Sequence, residues 1–161
     1  MVRLGVISDS HQSAFWAERY LDLANKRGYD AVVFLGDGES EAKWLKRRLK
    51  MPFEYVAGNC DWSSKAPREL FLHFAGHTIM ATHGHMHDVK WQMDSLSYYA
   101  EAHGADIALY GHTHIPKAEF VGPVLTVNPG ALMNGCYGEL LIDGARVVPR
   151  LKSLKRGKRT Y

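Results

Sequence analysis

The sequence has few cysteines and no long apolar run. Cys60 and Cys136 are its only cysteines, too few for a disulfide framework and in keeping with a reducing compartment. No apolar stretch approaches the roughly 18 residues of a transmembrane helix, so we expect no association with a membrane. No charged and apolar leader precedes the first predicted strand, and we therefore expect no signal peptide and a cytoplasmic location.

Size and composition predict one globular domain with a short basic tail. A chain of 161 residues can bury a substantial core, and 46% hydrophobic with 23% charged residues is ordinary for a globular protein. We predict a single domain over residues 1–150 and a tail over residues 151–161. Much of the net charge of +3 comes from five tail residues, Lys152, Lys155, Arg156, Lys158 and Arg159. We expect this tail to be solvated; the alternative is weak attraction to nucleic acid or another polyanion.

Hydrophobic periodicity predicts an α/β fold. Helices are expected over residues 13–26, with Ser13 as cap and Gly28 as stop, over 40–49 and over 89–103. A hairpin is expected over 69–82, turning at Ala75-Gly76. Short strands joined by tight turns are expected at 118–121, 124–127, 138–142 and 146–148. Strand and helix alternate first and strands dominate later, which favours a mixed sheet, or two stacked sheets, flanked by helices.

Five short hydrophobic runs each end in a polar cluster. The runs cover residues 4–8, 32–35, 53–57, 78–82 and 107–110, and the clusters are Asp9-Ser10-His11, Gly36-Asp37, Gly58-Asn59-Cys60-Asp61, His83-Gly84-His85 and Gly111-His112-Thr113-His114. Each cluster alone is a weak signal. Their shared position after predicted strands indicates one site, because open α/β sheets bind ligands at strand ends. Aspartate, asparagine and histidine together suit two hard or borderline divalent ions.

The ordered set of clusters resembles the calcineurin-like metallophosphoesterase family. The small size, the Ser8-Asp9-Ser10-His11 start and the cysteine after Asn59 resemble its compact YfcE-like bacterial phosphodiesterase branch. The resemblance covers residues 2 to about 148. It implies two stacked mixed sheets between helices, a four-layer αββα sandwich. It also implies hydrolysis of a phosphate ester, in which a hydroxide shared by two metal ions attacks phosphorus in line.

The resemblance also implies a division of roles among these residues. Asp9, His11, Asp37 and His114 would hold one ion, and Asp37, Asn59, His83 and His112 would hold the other, with Asp37 bridging. Asp37, Asn59 and His85 are the catalytic candidates, although His85 is equally well explained as a loop residue. Mn²⁺ is the preferred ion for both positions, with Ni²⁺, Zn²⁺, Fe²⁺ and Co²⁺ as alternatives.

Charge counting favours a phosphodiester substrate. Two divalent ions, the carboxylates of Asp9 and Asp37 and one hydroxide sum to +1, which a diester neutralises and a monoester dianion exceeds. Lys65 and Arg68 follow the Asn59 loop and would add positive charge. We expect a small phosphoester as substrate. Nucleic acid is not indicated, and a homo-oligomer is left open.

Cys60 stands where the family commonly has a histidine that protonates the leaving oxygen. A thiol is a poor substitute at neutral pH, since its reference pKa is about 8.5. Three alternatives remain: Cys60 is a weak acid, His85 replaces it, or the leaving group needs little help; we favour the last two. A structural role for Cys60 is at least as plausible as a catalytic one. Asp61 is expected to orient a metal-binding histidine by accepting its ring proton.

Two other functions compete with the phosphodiesterase. One is a non-catalytic metal-binding scaffold resembling the small retromer subunit, which a complete set of ligand residues argues against. The other is a nuclease or dinucleotide polyphosphatase using the same metals, although the chain offers no obvious cap to grip a polymer or base. Of the remaining polar residues, His77 is expected to be an ordinary turn residue. Residues 128–130 follow another predicted strand, and two alternatives remain for them: they line the site, or they form a simple turn, which we favour.

Overall fold

The computed structural model describes residues 1–154. Its helices are α1 (Ala14–Arg27), α2 (Glu39–Arg48) and α3 (Asp94–Ala102). Its strands are β1 (Val2–Ile7), β2 (Ala31–Phe34), β3 (Phe53–Tyr55), β4 (Glu69–Phe74), β5 (His77–Thr82), β6 (Ile107–Leu109), β7 (Lys117–Val121), β8 (Val124–Asn128), β9 (Cys136–Asp143) and β10 (Arg146–Ser153). Among the described residues, no helix has the length and apolar character needed to cross a bilayer.

The strands form two mixed five-stranded sheets. The first has the order β10-β9-β1-β2-β3, with β1, β2 and β3 parallel and β9 and β10 antiparallel to their neighbours. The second has the order β4-β5-β6-β8-β7, with a parallel centre of β5, β6 and β8 between two antiparallel edge strands. The predicted pair of stacked mixed sheets is therefore confirmed.

Three apolar clusters hold the layers together. The central one lies between the sheets and takes residues from both, including Leu4 and Val33 from the first and Ile79 and Leu109 from the second. A second cluster packs α1 and α2 against the first sheet. A third packs α3 against the second sheet. The order of layers is helix, sheet, sheet, helix, which is the four-layer αββα sandwich expected from the sequence.

Helix α1 begins and ends where its capping residues predict. The Ser13 hydroxyl accepts a hydrogen bond from the Trp16 backbone N–H at 3.4 Å, which satisfies one donor of the first turn. Gly28 follows the helix with φ 71°, and its N–H donates to the Ala24 carbonyl. Glycine tolerates this left-handed conformation without steric cost, so the helix ends here.

Two predicted boundaries need correction. Helix α3 begins at Asp94 rather than at 89: after the short 3₁₀ turn at His85–His87 and Asp88, which has a left-handed backbone (φ 53°), the chain forms turns up to the helix. Strand β10 continues to Ser153, so the segment predicted as tail starts within the first sheet. Within it, Lys152 is an ordered strand residue, whereas Lys155, Arg156, Lys158 and Arg159 lie outside the described residues.

Candidate metal centre

The predicted ligands converge because four parallel strands end at one edge of the sandwich. Asp9 and Asp37 follow β1 and β2 in the first sheet, and His83 and His112 follow β5 and β6 in the second. Backbone hydrogen bonds tie each pair of loops together: Asp9 N–H donates to the Gly36 carbonyl at 2.9 Å, and Gly111 N–H donates to the His83 carbonyl at 2.9 Å. The two sheets thus bring their polar strand ends to one place.

Asp9, His11 and His114 form the first group of ligand atoms. The Asp9 Oδ1 lies 3.1 Å from His114 Nε2 and 3.4 Å from His11 Nε2, and the two Nε2 atoms are 3.3 Å apart. Asp9 itself is fully buried, and its other oxygen accepts hydrogen bonds from the Ser8 hydroxyl at 2.5 Å and the His112 N–H at 3.1 Å. One carboxylate and two imidazoles around a common point are a donor set for a divalent ion.

Asp37, His83 and His112 form the second group. His83 is fully buried, and its Nδ1–H donates to the Leu35 carbonyl at 2.7 Å, an arrangement that directs Nε2 towards the site. That Nε2 lies 3.2 Å from Asp37 Oδ2 but has no hydrogen-bond partner. A buried nitrogen that faces a carboxylate without a hydrogen bond is what a cation seated between the two atoms requires. The residues present therefore fit a metal ion.

The charges around these groups also fit a cation. Burial alone would lower the pKa of His83, but the carboxylates of Asp37 and Asp9 outweigh it and raise the pKa. Burial would raise the pKa of Asp37, yet the adjacent His83 ring and the hydrogen bond from the Cys60 backbone N–H keep it well below its usual range. Burial, followed by repulsion from His83, lowers the pKa of His112 to about 4, so this ring is neutral and has a free lone pair at neutral pH. The carboxylates of Asp9 and Asp37 therefore favour a positive charge between them.

Asp37 lies between the two groups. Its Oδ2 is 3.6 Å from His11 Nε2 and 3.2 Å from His83 Nε2, so one carboxylate reaches both sets of donors. Its Oδ1 accepts the Cys60 backbone N–H at 2.8 Å. Asp37 is therefore within reach of both groups, and the bridging role that the family resemblance implies for it stays a prediction.

Asn59 and His85 lie beside the cluster. Asn59 is exposed on the loop after β3, where its side-chain amide donates to Cys60 Sγ at 3.7 Å; its role as a ligand stays a prediction. His85 opens the 3₁₀ turn after β5, with its ring centroid 5.5 Å from that of His83. Burial and the charges of His83 and Arg68 lower the pKa of His85, so the ring is neutral.

The expected role of Asp61 is wrong. Its carboxylate accepts no imidazole proton; it accepts four backbone N–H groups, from Asp37 and Gly58 on one oxygen at 2.8 Å each, and from Gly38 and Glu39 on the other at 3.0 and 3.2 Å. The ring proton of His83 goes instead to a backbone carbonyl. Asp61 therefore fixes the loop that carries Asp37 rather than the orientation of a histidine.

Two further residues support the site: Glu41, which the sequence did not indicate, and Asn128, whose place at the site was the less favoured of two alternatives. Glu41 is buried on α2 and accepts hydrogen bonds from the Ser10 hydroxyl at 2.6 Å and the Gln12 N–H at 2.7 Å, which anchors the Asp9–His11 loop. Asn128, assigned to a simple turn, is fully buried; its amide donates to the Gly111 carbonyl at 3.1 Å and the Thr113 hydroxyl at 2.9 Å. An asparagine that directly follows a buried strand was the available signal for the second.

The backbone at the site adopts a conformation that side-chain-bearing residues seldom adopt. Five of the predicted ligands have positive φ: Asp9 (54°), His11 (41°), Asp37 (62°), His112 (69°) and His114 (64°). Such residues each cost on the order of 1 kcal/mol or more and persist where the surrounding contacts enforce them. Space is equally tight, since a Cβ on Gly58 would collide with the Asp37 carboxylate. The strand-end loops therefore hold these side chains in place with a strained backbone.

An open cavity of about 450 Å³ adjoins the cluster. His11, Asp37 and Cys60 line it, together with Trp62, which is 91% exposed. The cavity gives a small molecule direct access to the candidate metal ligands.

Comparison with known proteins identifies the family. The profile of the calcineurin-like phosphoesterase superfamily domain matches residues 2–139. The chain belongs to this superfamily. Its divalent-metal chemistry agrees with the two groups of donor atoms, and the two-sheet fold agrees with that of its members. The fold resemblance inferred from the sequence is confirmed.

Individual relatives are similar over most of their length. The chain is 35% identical to the probable metallophosphoesterase YsnB of Bacillus subtilis over 127 residues, covering 79% of this chain and 73% of YsnB. It is 29% identical to the phosphodiesterase YfcE of Escherichia coli K12, covering 82% of this chain and 80% of YfcE. A Streptococcus pneumoniae protein described as a predicted phosphoesterase has a crystal structure that superposes with a TM-score of 0.82 at 29% identity, over 99% of this chain and 92% of that one.

Proposed function

We propose that this protein is a phosphodiesterase that uses two divalent metal ions. The observation that carries the proposal is the position of Asp37, whose Oδ2 lies within 3.6 Å of His11 Nε2 in one donor group and 3.2 Å of His83 Nε2 in the other. Asp9, His11 and His114 would hold one ion, and His83, His112 and Asn59 the other. The name of the relative YfcE supports a diester as substrate.

Bound ions would supply a nucleophile at neutral pH and would stabilise the charge that develops on the phosphoryl oxygens. The chain contributes the rest. The hydrogen bond from His83 to the Leu35 carbonyl and the four that Asp61 accepts keep the donors in place before substrate arrives. Rigid donors need no rearrangement during the reaction, which lowers its barrier.

Protonation of the leaving group is not assigned to Cys60. Burial, followed by the nearby carboxylate of Asp37, raises the pKa of its thiol, so the group is a weak acid at neutral pH. The neutral ring of His85 lies next to the second donor group and is suited to contact a phosphoryl oxygen. We infer that the preferred substrate carries a leaving group that needs little protonation, with His85 as the side chain that contacts phosphate.

The substrate is proposed to be small. The cavity is open and adjoins the donor groups directly. The positive charges of Arg68 and Lys90 are close enough to lower the pKa of His85 and of His112, respectively. These charges favour the binding of an anion beside the two rings. Binding that weakens steeply with added salt would favour the nuclease alternative instead. We propose a cytoplasmic location and no membrane partner.

The test is hydrolysis of a chromogenic phosphodiester and its matching monoester by metal-stripped protein, with Mn²⁺, Ni²⁺ and Zn²⁺ added back singly. We expect metal-dependent hydrolysis with the diester as the better substrate. Asp37→Asn should lose this activity by roughly 10³-fold or more, because both donor groups lose their shared carboxylate.

Asp22→Asn is the matched control, because Asp22 is exposed on α1 away from the site. A monoester preference would refute the diester assignment. Tight metal binding with no hydrolysis under any ion would favour the scaffold function.

A further inference from the structure

Cys60 forms a third donor group with two of the predicted ligands. Its Sγ, a His11 ring nitrogen and an Asp37 carboxylate oxygen all lie within 4.8 Å of one another. The two sets of metal ligands implied by the family resemblance do not include this sulfur. The group opens onto the cavity beside the site, so an ion can enter.

The geometry suits a single small ion. Ligands about 2.1 Å from a tetrahedral ion lie about 3.4 Å apart, and a thiolate bonds at about 2.3 Å. His11 Nε2 and Asp37 Oδ2 are 3.6 Å apart. The hydrogen bond of 2.8 Å from the Cys60 N–H to Asp37 Oδ1 holds the cysteine next to this carboxylate.

A separate observation places a cation at the same carboxylate. His83 Nε2 is fully buried, faces Asp37 Oδ2 at 3.2 Å and has no hydrogen-bond partner. An ion seated between these atoms would satisfy both. Cys60 therefore shares Asp37 with a second donor group, that of His83, whose geometry independently fits a cation.

We propose that Cys60 binds metal as a thiolate, together with His11 and Asp37, and that this position selects a thiophilic ion such as Zn²⁺ or Co²⁺ over Mn²⁺. The thiol releases its proton to solvent as the sulfur–metal bond forms. Thiolate ligands favour Zn²⁺, whereas Mn²⁺ prefers oxygen. This inference rests on the metal centre of the proposed function and changes the preferred ion at one of its two positions.

The spectrum of Co²⁺-loaded protein tests the inference without an activity assay. A Co²⁺–thiolate bond gives a charge-transfer absorption in the near ultraviolet. We expect this absorption in the wild-type protein and in Cys136→Ser, and its loss in Cys60→Ser. Cys136 is the matched control, because it is the other free cysteine and lies in β9. No absorption in the wild type, or its loss in Cys136→Ser alone, would overturn the proposal.

Metal competition supplies a second readout. Cys60→Ser should weaken Zn²⁺ binding roughly tenfold or more while changing Mn²⁺ binding little, since serine keeps an oxygen but loses the soft donor. Equal weakening for both ions would count against sulfur ligation. Circular dichroism should show an unchanged fold, because Cys60 is exposed.

The two proposals can fail separately. A thiolate absorption in a protein that hydrolyses no phosphoester would retain Cys60 as a ligand and refute the enzyme. Metal-dependent hydrolysis by a protein that never shows the absorption would retain the enzyme and refute the thiolate.

Discussion

Asp61 Oδ2 accepts the backbone N–H of Asp37 at 2.8 Å, so the carboxylate that links both donor groups is itself held by a second carboxylate on the next loop. The same side chain binds three further N–H groups, at Gly38, Glu39 and Gly58. Removing it leaves several donors of a tight loop without an acceptor.

Asp61→Asn should therefore reduce both stability and activity. An amide would present two N–H donors to a ring of N–H donors, and we expect a loss of about 2 kcal/mol in the free energy of unfolding. Activity should fall mainly through kcat, because Asp37 loses its position. Urea denaturation and steady-state kinetics measure the two effects. Asp22→Asn should change neither, and an Asp61→Asn protein with wild-type stability would contradict the role assigned to this residue.

Metal binding should stabilise the fold and should depend on His83. A ligand at 100 times its dissociation constant adds about 2.7 kcal/mol, which corresponds to a rise in Tm of roughly 5–10 °C for a chain of this size. His83→Ala should lose much of this rise, because its buried Nε2 faces the ion. Differential scanning calorimetry with and without Zn²⁺ measures the shift. His73→Ala is the control, since His73 is exposed on β4, and an unchanged rise in His83→Ala would exclude His83 as a ligand.

Stability should fall as pH rises because of His77. Its Nε2 lies 2.6 Å from the Gly144 carbonyl and its Nδ1 lies 2.6 Å from Asp106, and these contacts raise its pKa in that order of importance. A raised folded-state pKa stabilises the protein below the unfolded value, near 6.5, and this contribution is lost as pH rises through the folded value. Gly144 lies in the turn that joins β9 and β10 of the first sheet, and His77 begins β5 of the second, so the protonated ring links the two sheets at the end away from the candidate metal centre.

His77→Asn should remove this pH dependence. We expect a change on the order of 0.5 kcal/mol between pH 6 and pH 9 in the wild type, as for other surface pairs, and a smaller one in the variant. Denaturant titrations across this range measure it. His73→Asn should keep the wild-type slope, and an equal slope in His77→Asn would remove His77 from the explanation.

Glu139 pairs with two cations, so one of them should be able to compensate in part for the loss of the other. This fully buried carboxylate of β9 lies 3.2 Å from Arg27 Nη2 and 3.2 Å from Lys152 Nζ. Arg27→Met and Lys152→Met should each cost about 1 kcal/mol, while the double variant should cost more than the sum, above roughly 3 kcal/mol, because a buried charge is then unpaired. Chemical denaturation of all three variants tests this. Lys43→Met, which breaks the exposed pair with Glu39, should have little effect, and strict additivity would show that the two cations act independently.

The sequence predicted the fold and the convergence of the strand ends better than it predicted the contacts. Strand ends could be recognised because hydrophobic runs stop abruptly at Asp37, His83 and His112, and parallel strands place such ends together. The start of α3 could not be placed, since the apolar residues just before Asp94 continue the helical pattern of the sequence although that segment forms turns. The partners of Asp61 are backbone N–H groups, which every loop possesses and no sequence pattern distinguishes. For Cys60 the sequence offered only a weak acid or a structural residue, because only the folded chain brings its sulfur near His11 and Asp37.

The left-handed backbone at the five predicted ligands has an evolutionary consequence. Glycine at His112 or His114 would relax the loop and would at the same time remove a metal donor, so natural selection for robustness and for catalysis acts in opposite directions at these positions. A descendant of this protein that no longer hydrolysed phosphoesters would be free to accept such replacements and would become harder to unfold. Aspartate and histidine retained at these strained positions would then indicate that catalysis is still under selection.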